Sequence, residues 1–442
     1  MTVSRTRKRE ADAIESSKRF LDYLSRLAGV FANKRQEDQM RAYCTGLLIE
    51  GDRKSMEPIA ERITPDEHGV SATHQSLHHF LANADWDDEA VLDAVRAYVL
   101  PAITKHAPIS VWIADDTGIP KQGKHSVGVA HQYCGQVGKQ ARCQVAVTLS
   151  IANEHASLPI GYRLYLPEEW TKDAERMRRV GVPEDIAFET KPQIALKQVR
   201  SALDAGIPQG TFIADAGYGN DTKLRDQLTA WGVPYAVTVQ ETTLVWAPGT
   251  EPLPPKPWNG RGRKPTKLQR DDEHQPISVK QLAMELPKEA YQHVEWREGT
   301  AGMLASRFAC VRVRAAHGET HTQREQEWLL IEWDEKEEKP RKYWLSTVPE
   351  STPIKNLVQT VQMRWRIEHD FLELKDELGL NQFEGRNWRG FHHHASMCIA
   401  AYGFLLTERG LFSPSGRVAF EIPVVSQSRR RRRGSPKHSS TT

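Results

Sequence analysis

Two aspartates end short apolar runs that are typical of strands, and this placement suits them for chemistry. Asp115 ends the run ISVWIAD and Asp215 ends the run TFIAD, so we expect both at the carboxyl ends of strands. In an open sheet, the residues just past strand ends line the crevice in which ligands and metals bind. Carboxylates gathered in a cleft repel one another unless divalent cations neutralise them, and such oxygen ligands suit Mg²⁺ or Mn²⁺. The two aspartates are therefore the first candidates for a metal site.

A third candidate, Glu368, lies in a predicted long helix that runs from about residue 354 to residue 378. Arg364, Glu368 and Lys375 share one face of this helix beside its apolar stripe. A carboxylate at the border of a buried stripe can point into a cleft, where the two cations can hold phosphates. The alternative is a surface helix on which Arg364 pairs with Glu368, and spacing alone favours that alternative. Three acids at compatible points of one fold favour the site. The apolar stripe comprises Met363, Ile367, Phe371, Leu374 and Leu378.

The elements that must position these acids change in character along the chain. Residues 1–105 carry apolar residues at helical spacing, which predicts a helical N-terminal domain. The pattern of residues 106–240 predicts three strands followed by alternating helices and strands. Residues 345–410 return to the same α/β domain. This pattern predicts a mixed sheet flanked by helices and matches the ribonuclease-H-like fold. Residues 241–344 predict a β-rich insertion with a basic loop, and residues 411–442 predict a basic, disordered tail.

The composition excludes several classes of protein. The five cysteines form no CxxC pair, which argues against a disulfide framework and against a structural zinc site. The consecutive residues His392, His393 and His394 point in three directions on a helix, so we expect them to be structural rather than zinc ligands. No apolar run is long enough for a membrane span or a secretory signal, which predicts a cytoplasmic protein.

Local basic segments indicate a polyanionic partner, although the net charge is only +3. The segment from Lys256 to Arg270 contains six basic residues and no acid, and Arg429 to Arg433 form an unbroken run. Within the first segment, Arg261-Gly262-Arg263 is similar to the core of an AT-hook, which lies in a narrow minor groove. Flexible linkers and disordered tails have the same composition, so that alternative stays open. Lys121 and Lys124, just after the first aspartate, are further candidates for phosphate contacts or a solvated loop.

Three stretches together resemble a bacterial insertion-sequence transposase of the DDE superfamily. They are DDTGIPKQGKHSVGVAHQYCG, ADAGYGND and WRIEHDFLELKDELGLNQFEGR. The similarity covers about residues 40–405 and is greatest to the IS-seven-oh-one branch, which is related to the IS-four group. The signature of that group is Tyr, two residues, Arg, three residues, Glu, six residues, Lys. Arg364, Glu368 and Lys375 fall at these spacings, whereas the tyrosine position holds Val361.

This resemblance implies a catalytic triad of Asp115, Asp215 and Glu368 that holds two Mg²⁺ (or Mn²⁺) ions roughly 4 Å apart. The reaction it implies is cleavage of DNA at the ends of the element, followed by attack of the freed 3′-hydroxyl on target DNA. Asp116 leaves an ambiguity, because adjacent acids on a strand point to opposite faces and only one can face the site. The branch often has Asp-Asp/Glu-Thr-Gly at this point, which favours Asp115.

The implied partners are double-stranded DNA, as terminal inverted repeats and target, and a second copy of the chain as a homodimer on DNA. Related enzymes stack an aromatic residue of the insertion on a flipped base, and Trp246 or Trp258 could do so, although most tryptophans are core residues. A domesticated or inactive DNA-binding protein of the same fold is the alternative. The presence of all three acids argues against it.

Overall fold

The computed structural model describes residues 2–299, 302–317, 324–334 and 336–411. The predicted tail, with Arg429 to Arg433, lies outside the described residues except for Leu411. The helices are α1 (Thr2–Ala28), α2 (Lys34–Leu48), α3 (Met56–Ile63), α4 (Val70–Ala82), α5 (Asp88–Thr104), α6 (Glu168–Thr171), α7 (Ala174–Arg179), α8 (Lys191–Asp204), α9 (Ala216–Gly219), α10 (Thr222–Ala230), α11 (Val279–Glu285), α12 (Ile354–Gln362), α13 (Trp365–Asp376) and α14 (Trp388–Leu411). The strands are β1 (Val111–Pro120), β2 (Ala130–Cys134), β3 (Lys139–Ala152), β4 (Ser157–Tyr165), β5 (Thr211–Ala214), β6 (Tyr235–Val239), β7 (Leu244–Trp246), β8 (Ile277–Ser278), β9 (Gln292–Gly299), β10 (Gly302–Ala315), β11 (Glu327–Glu332) and β12 (Lys342–Ser346).

The N-terminal helices pack around α14, which is buried along most of its length. A helix that is apolar on nearly all sides must lie inside a protein, and here α2, α4 and α5 surround it. α5 begins at Asp88, because the Asp87 side chain accepts hydrogen bonds from the backbone N–H groups of Glu89 and Ala90. The N-terminal helices therefore share one hydrophobic core with the rest of the chain. Among the described helices, none is long and apolar enough to cross a bilayer.

A large mixed sheet forms the centre of the molecule, as the sequence predicts. Its strand order is β2-β3-β1-β5-β6-β12-β11-β10-β7-β8, with β4 paired to β3 and β9 paired to β10. The pairs β1–β5 and β5–β6 are parallel, and the other pairs are antiparallel. The short apolar strand β5 is thus central and has helices over both faces, which explains its continuous apolar sequence.

The strands predicted for the insertion extend this central sheet. β11 pairs with β12, β12 pairs with β6, and β10 pairs with β11. The basic segment from Lys256 to Arg270 lies in the loop between β7 and β8, and it is exposed as predicted. The sheet consequently links the insertion rigidly to the strands that carry the acids.

Two details of the predicted elements are wrong. Asp115 lies in the middle of β1 rather than at its end, because β3 supplies pairing partners as far as Pro120. The single predicted helix over residues 354–378 is two helices, α12 and α13, which meet at Met363 and Arg364. Glu368 therefore lies in the first turn of α13. The predicted apolar stripe is confirmed, since Ile367, Phe371, Leu374 and Leu378 are buried and Met363 is half-buried.

Candidate carboxylate site

The register of the parallel strands brings Asp115 and Asp215 side by side. Ala114 of β1 is paired with Ala214 of β5, and each aspartate directly follows one of these alanines. β5 ends at Ala214, since Asp215 then caps α9 and its Oδ1 accepts a hydrogen bond from Gly217 N at 2.8 Å. The placement of Asp215 just past a strand end is as the sequence predicts.

Strand alternation separates Asp115 from Asp116. Asp115 Oδ2 lies 2.6 Å from Nη1 of Arg364, between α12 and α13. Asp116 Oδ2 lies 2.9 Å from Nζ of Lys191, at the start of α8. The two acids thus face opposite sides of the sheet, and Asp115 is the one on the side of Glu368. We call these sides the α13 face and the α8 face.

Arg364 joins the acids of the α13 face. Its Nη2 donates to Glu368 Oε1 at 2.5 Å while its Nη1 donates to Asp115. Burial opposes the charge of the guanidinium, but Asp115, Glu368 and Asp215 together raise the pKa of Arg364 above its ordinary value. Asp115 and Glu368 therefore share a single cation, and the charge of Asp215 also acts on it.

Asp115 is short of positive charge even with this partner. Burial raises the pKa of its carboxyl group to about 7; Arg364 opposes this rise, and the neighbouring Asp215 and Asp116 add to it. A buried carboxylate next to a second carboxylate is an environment that a divalent cation stabilises.

The oxygen ligands of the site suit a hard cation, and Arg364 occupies part of the space that such a cation would fill. The oxygens of Asp115, Asp215 and Glu368 are of the kind that Mg²⁺ and Mn²⁺ prefer. In the described part of the chain, no three acidic, histidine or cysteine side chains stand together closely enough to hold a metal ion. The reason is visible at Glu368, whose side chain is 58% exposed and turned to Arg364. The carboxylates match a divalent cation in their chemistry, but Glu368 contacts the arginine and does not meet the two aspartates at a common point.

The other predicted cations of this region lie along β1. Lys375 is buried, and its Nζ donates to Gly118 O at 3.0 Å, so it holds α13 against the strand. Lys121, one residue past β1, donates from Nζ to Phe383 O at 2.6 Å, and Lys124 is exposed. Arg364 and Lys375 are thus brought to the α13 side of β1, whereas Lys121 and Lys124 lie beyond the end of the strand.

Arg261 and Arg263 lie in the exposed loop between β7 and β8. Trp258 is 51% exposed, and its Nε1 donates to the carbonyl oxygens of Arg261 and Gly262, which shapes the Arg-Gly-Arg turn. Trp246 is buried in the core, so among the two predicted stacking residues only Trp258 is accessible.

The three consecutive histidines have structural surroundings, as expected. Burial lowers the pKa of all three side chains, so they are neutral. Each ring has a different partner: His392 Nε2 with Leu164 N at 3.2 Å, His393 Nε2 with Trp86 O at 2.8 Å, and His394 Nε2 with Gly379 O at 3.1 Å.

Sequence reasoning missed the residues that complete the α13 face. A cavity of about 150 Å³ beside Arg364 and Glu368 is lined by Thr238, Lys342 and Trp344. Thr238 is paired with Trp344 across β6 and β12, in line with the two aspartates. Only the strand register could have located these residues, because β12 is more than 100 residues from β6 along the chain.

The fold and the site define an α/β protein in which two aspartates lie side by side on a mixed sheet. The chain belongs to the DDE superfamily endonucleases, whose family profile matches residues 26–303. A probable transposase for insertion sequence element IS701, from Microchaete diplosiphon, is 28% identical over 206 residues. That match covers 46% of this chain and 49% of the relative, so the chain spans about half the length of this curated relative.

A solved structure of the piggyBac transposase synaptic complex with hairpin DNA is also similar in outline. It has a TM-score of 0.42 and 10% sequence identity, over 84% of this chain and 66% of that chain. A likeness of this degree supports no argument about the present site.

Proposed function

We propose that this protein is a DNA transposase with a ribonuclease-H-like catalytic domain, which cuts DNA at element ends and transfers the 3′-hydroxyl to target DNA. The observation that carries the proposal is the alignment of Asp115 with Asp215 on adjacent parallel strands, with Glu368 on the helix that covers the same face. Membership of the DDE superfamily endonucleases supports it. The partners are terminal inverted repeats and target DNA, with a homodimer assembled on the DNA in the bacterial cytoplasm.

Asp115, Asp215 and Glu368 would hold two Mg²⁺ or Mn²⁺ ions, which supply an activated water for cleavage and an activated 3′-hydroxyl for strand transfer. The sheet fixes the positions of Asp115 and Asp215, because each directly follows an alanine of the paired strands β1 and β5. Arg364 stabilises the acids before DNA binds, and its guanidinium can then hold a phosphate of the cleaved strand as a bidentate donor.

A direct test replaces Glu368 and compares binding with cleavage. Glu368→Gln keeps size and helix propensity but removes the charge, so binding to terminal-repeat DNA should persist while nicking in Mg²⁺ falls at least ~100-fold. Asp376→Asn is the matched control, since Asp376 is an exposed acid at the end of α13. Normal nicking by Glu368→Gln would remove it from the triad and direct the search to Glu373 or Glu377.

A DNA-binding protein without nuclease activity is the second candidate, and the pairing of Arg364 with two of the acids favours it. If the arginine stayed in place, the cluster would be neutralised without metal. Such a protein would bind terminal-repeat DNA equally well with Asp115→Asn and would show no Mg²⁺-dependent nicking in the wild type. The nicking assay therefore separates the two candidates.

The exposed β7–β8 loop supplies a second DNA contact under this proposal. Arg261→Ala with Arg263→Ala should lower the slope of log affinity against log salt by about 1.8, since each phosphate contact contributes about 0.9. Gel-shift titrations over a range of salt concentrations measure that slope. An unchanged slope would identify the segment as a linker.

A further inference from the structure

Three loops line an open basic cleft beyond the end of β1. They connect α2 to α3, β1 to β2, and α13 to α14. The cleft has a volume of about 460 Å³, and Arg53, Lys121 and Arg386 each contribute a cation to its lining. Sites for small ligands have volumes of roughly 300–1,000 Å³, so this cleft can admit a phosphate with its adjoining sugar. We call it the loop cleft.

The loops are tied to one another, which fixes the cations in place. Lys121 Nζ donates to Phe383 O at 2.6 Å, and Lys54 N donates to Gln382 Oε1 at 2.5 Å. Val127 N donates to Arg386 O at 2.9 Å. Each contact joins two of the three loops, so the arrangement does not depend on a ligand to form.

The described lining of the cleft carries a net positive charge, although Glu384 favours the charged form of Lys121. Among the described residues, neither Arg53 nor Arg386 nor Lys121 has a carboxylate within ion-pair distance, and Glu384 is the one acid of the lining. Burial lowers the pKa of Lys121 to about 8, and an anion in the cleft would favour its charged form.

The cleft lies within reach of the same DNA as the acids. Lys121 follows Asp115 by six positions, and at about 3.3 Å per residue the separation is about 20 Å. Successive nucleotides of a DNA strand are 3.4 Å apart along the axis, so this distance corresponds to about six base pairs.

We infer that the loop cleft binds backbone phosphates of the DNA substrate about six base pairs from the cut, through Arg53, Arg386 and Lys121. This inference rests on the proposed function, because it takes the position of the cut from the three acids. The cleft would position the duplex, and it makes no contact with the reacting atoms.

The test measures the salt dependence of binding to a 30-base-pair terminal-repeat duplex by fluorescence anisotropy. Arg53→Ala with Arg386→Ala should lower the slope by about 1.8 and weaken binding at least ~10-fold at 150 mM salt, since two phosphate contacts are lost. Arg53→Lys with Arg386→Lys should keep most of the slope. Arg35→Ala with Lys105→Ala is the control, as both residues are exposed cations outside the cleft with no ion pair among the described residues.

A shortened duplex sharpens the result. A duplex that ends three base pairs from the cut does not reach the cleft. On this DNA, the wild type and the double alanine variant should have the same slope of log affinity against log salt. An equal slope for both proteins on the long duplex would overturn the inference while leaving the proposed function intact. Failure of the wild type to bind terminal-repeat DNA would overturn both. If inorganic phosphate bound in the cleft while both proteins had the same slope on the long duplex, the cleft would be a site for a free anion. That result would contradict the DNA contact.

Discussion

Asp115 and Asp116 are adjacent in the chain, yet the two faces of the sheet give them different surroundings. On the α13 face, Asp115 is joined by Asp215 from the neighbouring strand and by Glu368 through Arg364. On the α8 face, Asp116 has an ion pair with Lys191. Because successive residues of β1 point to opposite faces, Asp115 joins the acids near Arg364, whereas Asp116 forms a single ion pair. The comparison teaches that a site needs neighbouring strands as well as the right residue type.

The largest expected effect distinguishes the two aspartates by nicking. Asp115→Asn should lower nicking of terminal-repeat DNA in Mg²⁺ at least ~100-fold, which is about 2.7 kcal/mol of transition-state free energy. Asp116→Asn removes a charge from the opposite face and should lower it less than ~10-fold. A gel assay of both variants under identical conditions makes the comparison. Equal losses would mean that the division between the faces has no catalytic meaning.

A smaller effect distinguishes the two cations. The side chains of Arg364 and Lys191 are both 32% exposed, which makes them a matched pair. Arg364→Met leaves Asp115 and Glu368 without their shared cation and should lower the free energy of unfolding by about 1–3 kcal/mol. Lys191→Met breaks one part-exposed pair and should cost about 1 kcal/mol or less.

Thermal unfolding with added Mg²⁺ is a further test of the Arg364→Met and Lys191→Met variants. A metal that binds only the folded protein stabilises it by mass action, so Mg²⁺ should recover much of the loss in Arg364→Met. It should stabilise Lys191→Met less, since Arg364 still competes with the metal for Asp115 and Glu368 in that variant. If Mg²⁺ raised the melting temperature of both variants equally, Arg364 would not be competing with the metal.

The smallest expected effect concerns Lys375 on the α13 face. Because its Nζ donates to Gly118 O, Lys375→Met should lower the free energy of unfolding by about 1 kcal/mol and leave the salt slope of DNA binding unchanged. Denaturant unfolding and anisotropy titration measure the two quantities. A slope lower by about 0.9, with unchanged stability, would instead support the phosphate contact that the sequence spacing indicates.

Local sequence predicted Asp215 well and Asp115 less well, for a physical reason. The run TFIA ends where Asp215 caps a helix, so the strand end is determined by neighbouring residues. At Asp115 the following Thr-Gly is typical of a turn, but pairing with β3 extends the strand to Pro120. That pairing comes from residues 143–152, and local propensity contains no information about it.

The helix break and the edge of the sheet were hidden for similar reasons. Neither proline nor glycine stands between residues 354 and 378, yet the chain changes direction at Met363 and Arg364, where the guanidinium meets Asp115. The strands of the insertion were identified from their apolar runs, but their pairing through β12 to β6 is a long-range property. The three candidate acids were identified from the sequence, whereas Thr238, Lys342 and Trp344 required the register.

Anomalous diffraction from crystals of the protein with terminal-repeat DNA and Mn²⁺ tests the central claim most directly. The claim is that Asp115, Asp215 and Glu368 hold the metal on the α13 face. We predict an anomalous peak between the carboxylates of Asp115 and Asp215, with Arg364 moved off Asp115 and Glu368 turned to the metal. A peak at Asp116 on the α8 face, or a fully occupied Arg364–Asp115 pair with no metal beside it, would contradict the account.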